Sequence, residues 1–217
     1  MSPKLPVLIL TACCVLAVAA SAQSKTERTT FTDGKGRNSG SATTQTTGST
    51  ERTTTRDASG RTTGTAVTHQ SSSGSERTTF TDGKGRSTGS ATTQVTGNSE
   101  RTTTRDASGR TTGTAITHQS SSGSERTTFT DSKGRSTGSA TTQVTGNSER
   151  TTTRDASGRT TGTAITHQSS SGSERTTFTD GKGRSAGSAT TQTSGGTERT
   201  TTRDASGRTT GTATKRR

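Results

Sequence analysis

Phe31, Phe80, Phe129 and Phe178 stand 49 residues apart, and so do His69, His118 and His167. A chain that repeats itself at such an interval folds as an array of one supersecondary unit, in which each copy is held by its neighbours. Every period contains two related halves, ERTTFTDGKGRSTGSATTQ from Glu76 and ERTTTRDASGRTTGTAITHQ from Glu100. The halves start at Glu27, Glu51, Glu76, Glu100, Glu125, Glu149, Glu174 and Glu198, in alternating steps of 24 and 25 residues. The eighth half is shortened by Lys215, Arg216 and Arg217.

Each half has the grammar of a β-hairpin. A Thr-rich run meets Asp-x-x-Gly and a second Thr-rich run follows; Asp opens a type I turn and Gly supplies the positive φ that closes it. The turn formers are Asp33 and Gly36, Asp57 and Gly60, Asp82 and Gly85, Asp106 and Gly109 in the first two repeats. Asp131 and Gly134, Asp155 and Gly158, Asp180 and Gly183, Asp204 and Gly207 follow in the last two. Thr is β-branched and suits a pleated strand. With Asp106 paired to Arg110, the expected register sets Thr104 opposite Thr112 and Thr102 opposite Thr114, pairs that contribute about 0.2–1 kcal/mol each. TGNS and SSSGS also form turns, so residues 23–217 read as about sixteen short strands in an up-and-down meander.

Composition pulls the other way. After Ala22 the large apolar residues are four Phe, three Val and two Ile in 195 positions. A fully buried one contributes about 1.5–3 kcal/mol, whereas ordering costs about 1–2 kcal/mol per residue of backbone, so no conventional core is available. Low hydrophobicity by itself marks a disordered chain. The fold expected is therefore all-β, tandem β-hairpins in an elongated meander or solenoid-like array, with partial disorder as the alternative.

The N-terminus, MSPKLPVLILTACCVLAVAASAQS, has one cation at Lys4, an apolar run and small residues before Gln23. This is the layout of a secretory signal peptide over residues 1–22, cleaved between Ala22 and Gln23. A rival reading takes Leu10-Thr11-Ala12-Cys13 as a bacterial lipobox, with Cys13 lipidated. In either case the chain is exported, to a secreted, periplasmic or cell-surface location. Cleavage removes Cys13 and Cys14, which leaves neither disulfides nor thiolate metal ligands.

The Asp-x-x-Gly-Arg core, as in Asp33, Gly36 and Arg37 or Asp57, Gly60 and Arg61, resembles the YD repeat of RHS-type bacterial proteins, and the likeness extends over nearly all of residues 23–217. The family's Tyr is replaced by Thr32 or Arg56 and their copies, and its Leu after Arg by Ser, Asn or Thr. The resemblance implies hairpins and a cell-envelope or secreted location. Toxin encapsulation is not implied, because the units are few and no toxin domain follows.

Charge follows the repeat. Each half carries two acids and three bases, so eight halves contribute +8; Lys25, Lys215, Arg216 and Arg217 add four and Lys4 completes the net +13. Such an excess serves solubility and edge protection. It also suits a shallow cationic surface for lipopolysaccharide, acidic polysaccharide or extracellular DNA, with Arg56, Arg61, Arg105, Arg110, Arg154, Arg159, Arg203 and Arg208 as candidate contacts. A dedicated nucleic-acid reader would pair charge with aromatic platforms or a recognition helix, and four Phe on a 49-residue period supply neither. The histidines recur in one THQ context with no pocket-forming core, so no catalytic triad, metal site, cofactor or small-molecule substrate is expected. Thr102-x-Thr104 and Thr112-x-Thr114 on one flat ladder would suit ice binding. The function expected is a non-enzymatic structural or adhesive element of the envelope or matrix, with membrane attachment only through a lipidated Cys13.

Overall fold

The computed structural model describes residues 24–216; the expected signal peptide, the expected cleavage junction and Cys13 lie outside them. The first repeat supplies β1 (Lys25–Asp33), β2 (Asn38–Thr47), β3 (Thr50–Arg56) and β4 (Thr62–Gln70). The second supplies β5 (Glu76–Asp82), β6 (Ser87–Thr96), β7 (Ser99–Asp106) and β8 (Thr111–Gln119). The third supplies β9 (Glu125–Asp131), β10 (Ser136–Thr145), β11 (Ser148–Asp155) and β12 (Thr160–Gln168). The fourth supplies β13 (Glu174–Asp180), β14 (Ser185–Ser194), β15 (Thr197–Arg203) and β16 (Thr209–Arg216). All sixteen are antiparallel to their chain neighbours, and β16 pairs with β1 to close a barrel.

Closure replaces the open, elongated array expected from the repeat. The joint that closes it is built like the internal ones: Ala213 lies opposite Phe31 as Ala66 lies opposite Phe80. Although shortened, the last half extends far enough for Arg28 to Asp33 to pair with Arg216 to Gly211. With both ends of the sheet paired, neither β1 nor β16 is left as a free edge.

The register sets the barrel's dimensions. Followed across the pairs, Thr29 leads to Ala42, Thr55, Gly64 and then Asp82, four residues beyond Thr78, its own copy in the next repeat. Four repeats therefore give a stagger of sixteen residues over sixteen strands. Equal stagger and strand number, at about 4.8 Å between strands, mean a tilt of about 35° and a backbone radius of about 15 Å. A bore this wide is not filled by Thr, Ala and Glu side chains. Both walls stay wet, which is why no buried hydrophobic residue occurs among the described residues.

The turns at one rim share a geometry. In the fourth of the eight, the Asp106 N–H donates to the Arg110 carbonyl at 2.9 Å and the Gly109 N–H to the Asp106 carbonyl at 3.0 Å. Gly109 has φ +79°, and Asp106 Oδ1 accepts from the N–H groups of Ser108 and Arg110. This is a type I turn closed by a left-handed glycine. Beyond it the expected register fails. A bulge on β8 sets Thr104 opposite Gly113, Thr103 opposite Thr114 and Thr102 opposite Ala115. Thr112 still meets Thr104, Oγ1 to Oγ1 at 2.8 Å, but Thr114 moves to the other wall, so the four Thr form no flat face.

Seven threonine pairs then belt the inner wall, at 2.8–2.9 Å: Thr44 with Thr53, Thr68 with Thr78, Thr93 with Thr102, Thr117 with Thr127, Thr142 with Thr151, Thr166 with Thr176, Thr191 with Thr200. At the eighth joint Lys215 stands opposite Thr29 and instead meets Glu27 Oε2 at 2.6 Å, while Lys25 holds Oε1 at 2.8 Å. Burial pulls the Glu27 carboxyl up, but hydrogen bonds and charge from Lys215 and Lys25 outweigh it and leave it below its ordinary range.

Asp33, Asp82, Asp131, Asp180 and Asp204 are also held below the ordinary range, first by the backbone N–H of the turn Arg that follows each. Depressed folded-state values stabilise the fold above the unfolded Asp value and lose that contribution as pH falls through the folded one. Melting temperature is therefore expected to hold level down to about pH 5 and to drop below the ordinary Asp value of about 3.9. Asp→Asn at these five positions should flatten that drop; an unchanged acid limb would show that the turn carboxylates do not link folding to pH.

Candidate polyanion-binding surface

Every half-repeat opens with Glu-Arg, and adjacent strand residues point to opposite faces. Glu27, Thr29, Phe31, Asp33, Thr44, Ala42 and Gly40 share one face through the β1–β2 register, and Arg28, Thr30, Ser41 and Thr43 share the other. The direction of the stagger says which face is inside. The Asp33 N–H points to β2 and the Gln70 N–H to β3, so for L residues β2 lies to the right of an upward β1 when seen from the Glu face. Pairing runs toward higher residue number in the direction of β2, and with the right-handed coil of twisted strands this places β2 to the left when seen from outside. The Glu face is therefore the lumen. Accessibility agrees: all eight strand-opening Arg are exposed, whereas five of the eight Glu are half-buried.

Acid and base are thus sorted across the wall. Glu27, Glu51, Glu76, Glu100, Glu125, Glu149, Glu174 and Glu198 lie inside at the rim where β1 begins and β16 ends. Three are tied by inward glutamines: Gln70, Gln119 and Gln168 donate Nε2–H to Glu76, Glu125 and Glu174 at 3.4, 3.3 and 2.8 Å. Outside, Arg28, Arg52, Arg77, Arg101, Arg126, Arg150, Arg175 and Arg199 form a belt, and their sequence-neighbour Glu cannot reach them through the sheet.

The candidate arginines divide into two groups. Arg56, Arg105, Arg154 and Arg203 are on the outer wall above the belt, their guanidinium Nη1 donating to the carbonyls of Gly60, Gly109, Gly158 and Gly207 at 3.2–3.4 Å. The same groups donate to Thr62, Thr111, Thr160 and Thr209 Oγ1 at 3.1–3.4 Å. Arg61, Arg110 and Arg159 give their backbone N–H to the turn Asp. Arg208 adds an Nε–H bond to Asp204 at 3.2 Å. Arg37, Arg86, Arg135 and Arg184 are neutralised by bridges of 2.7 Å to their turn Asp. The belt of eight Glu-Arg arginines is the larger cationic feature and is absent from the candidates named from sequence. Period-two alternation of Glu and Arg in a strand was the signal that could have found it.

The histidines stay apart. His69, His118 and His167 lie on the outer wall, each four strands from the next, an arc of about 23 Å at ordinary strand spacing and tilt. Each ring Nδ1 meets a hydroxyl of the preceding strand: Thr50 at 3.0 Å, Ser99 at 2.7 Å and Ser148 at 2.7 Å. No cluster of three metal-ligating side chains forms among the described residues. The four Phe are inside, 37–38% exposed rather than buried, each opposite a glycine: Gly40, Gly89, Gly138 or Gly187.

No protein-family model matches this chain, and no curated protein matches it.

Proposed function

We propose that this is an exported, non-enzymatic barrel that serves as a structural or adhesive element of the cell envelope or extracellular matrix by holding anionic polymers against its basic outer wall. The observation that carries the reading is the sorting of charge: eight belt arginines face outward while the strand glutamates that would neutralise them face the lumen. The net charge of +13 therefore understates the charge that an approaching polymer meets. The belt repeats every two strands, so it offers spaced cations and no single pocket, which suits lipopolysaccharide, acidic polysaccharide or extracellular DNA. The apolar leader and the likeness of the turns to YD repeats support an extracellular setting. The outer wall carries Thr, Ser, Gln, Arg and His where a membrane-spanning barrel has an apolar band, which opposes insertion into lipid.

The test separates the two walls. Retention on heparin should fall steeply with salt, because each displaced counterion adds to the slope of log K against log salt. Replacing Arg52, Arg101, Arg150 and Arg199 by Ser should lower that slope by about four at most. Replacing Glu51, Glu100, Glu149 and Glu198 by Gln should leave it nearly unchanged although the net charge rises equally in size. Equal and opposite effects of the two sets would mean that only net charge matters and that the sorting has no role in binding.

A further inference from the structure

Three outer-wall positions are unlike the rest of the belt. His69 lies in register with Thr50 on one side and Arg77 on the other; His118 lies between Ser99 and Arg126, and His167 between Ser148 and Arg175. The hydroxyl takes Nδ1 in each case, at 3.0, 2.7 and 2.7 Å, which leaves Nε2 for a ligand. In β3 the residues that face His69 are Thr50 and, on the diagonal, Arg52; β5 presents Arg77, and on its own strand the outward neighbour is Val67. Ile116 and Ile165 replace Val67 in the other two copies, with Arg101 and Arg150 in register beside them. Glu51 and Glu76, the acids of the flanking strands, face the lumen. The fourth copy of the position, 49 residues after His167, is Arg216, opposite Arg28 across the closing joint.

We propose that Thr50–His69–Arg77, Ser99–His118–Arg126 and Ser148–His167–Arg175 are three subsites for sulfate or phosphate groups of a bound polyanion, occupied through the imidazolium form of each histidine. The inference rests on the outer-wall reading above and gives it a ligand group and a pH dependence. A protonated imidazole with one guanidinium group in register and a second on the diagonal lacks an anion, and among the described residues no acid on that wall supplies one. An oxyanion would accept from Nε2–H and from the neighbouring Arg together, a charge-assisted pair of donors. Binding and proton uptake are then coupled, and by reciprocity lower pH strengthens binding while ligand favours the protonated ring. Arg216 shows that the position accommodates a permanent cation beside another Arg, so each histidine acts as the titratable version of that pair.

Heparin retention of the full chain at pH 8 and pH 5.5, read as the salt concentration of elution, tests this with two triple variants. The unaltered chain should elute at higher salt at pH 5.5, its log–log salt slope steeper by up to about three. His69→Gln, His118→Gln and His167→Gln together should keep the pH 8 elution and lose most of the pH increment. The corresponding triple His→Arg variant should elute at pH 8 where the unaltered chain elutes at pH 5.5. Retention that does not change with pH, or an increment that survives intact in the Gln variant, overturns the subsites while leaving the basic wall standing. Failure to bind at either pH overturns both.

Discussion

Ending the chain after Arg208, which removes β16, is expected to turn a discrete protein into a self-associating one. Six in-register pairs, from Arg28 with Arg216 to Asp33 with Gly211, join β16 to β1, and seven more join it to β15. Their loss would leave the Thr-rich edges of β1 and β15 with unpaired N–H and C=O groups, a template for another chain. No apolar core remains to hold the opened sheet, since no hydrophobic side chain is buried among the described residues. Sedimentation should show oligomers that grow with concentration, and the cooperative melt should broaden or vanish. Excising the 49 residues 76–124, which joins Ser75 to Glu125 in the existing repeat phase, should have the opposite outcome. That deletion removes four strands and four residues of stagger together, so tilt is preserved and twelve strands can close at a radius of about 11 Å. A truncated chain that stays monomeric with an unchanged melt would show that the β1–β16 joint does not form in solution.

Gly89→Val should be the most damaging single substitution, with Gly40, Gly138 and Gly187 equivalent. These four glycines are the only buried residues among those described. Gly89 has φ +146°, lies opposite Phe80, and a Cβ there would strike the Arg105 carbonyl oxygen of the next strand. The backbone conformation alone costs a side chain about 1–3 kcal/mol, and displacing the Arg105 carbonyl disturbs the β6–β7 joint as well. Phe80 on the facing position covers the glycine, the arrangement by which an aromatic compensates a bare strand residue. Gly83 is the contrast. A Cβ there would also meet a carbonyl, that of Thr62, but its φ is not in the left-handed region and its copy in the third repeat is Ser132. Gly83→Ser should therefore shift the denaturant midpoint little, while Gly89→Val lowers it strongly. Similar effects of the two would place the cost in crowding of a neighbouring carbonyl rather than in the conformation of Gly89.

How much of this was legible beforehand differs from feature to feature, for physical reasons. The turns are local: Asp106, Gly109 and Arg110 carry the whole geometry within five residues, so hairpins and the sixteen strands follow from the sequence alone. Register is less local. Counting outward from Asp106 and Arg110 puts Thr104 opposite Thr112, but the bulge inserts one residue of β8 and transfers Thr114 to the outer wall. Closure has no local mark at all, because Ala213 opposite Phe31 uses the residues of an internal joint. The candidate site was half visible. Summing charge per repeat finds the excess cation, whereas the period-two alternation of Glu100 and Arg101 is what sends the acid inside and the base outside. Which wall is the lumen depends on stagger and strand handedness, neither of which a single repeat contains.

The most direct measurement compares two neighbouring residues on β7. In a background with Cys13 and Cys14 replaced by Ser, Thr102→Cys and Thr103→Cys would each be reacted with a biotin maleimide and challenged with streptavidin. Thr102 lies in the belt of inner threonine pairs and Thr103 on the wall that carries Arg101. Closure predicts capture at position 103 in the native protein and capture at position 102 only after unfolding. Equal native capture at both positions would mean a sheet open on both faces, and would contradict the charge-sorted barrel.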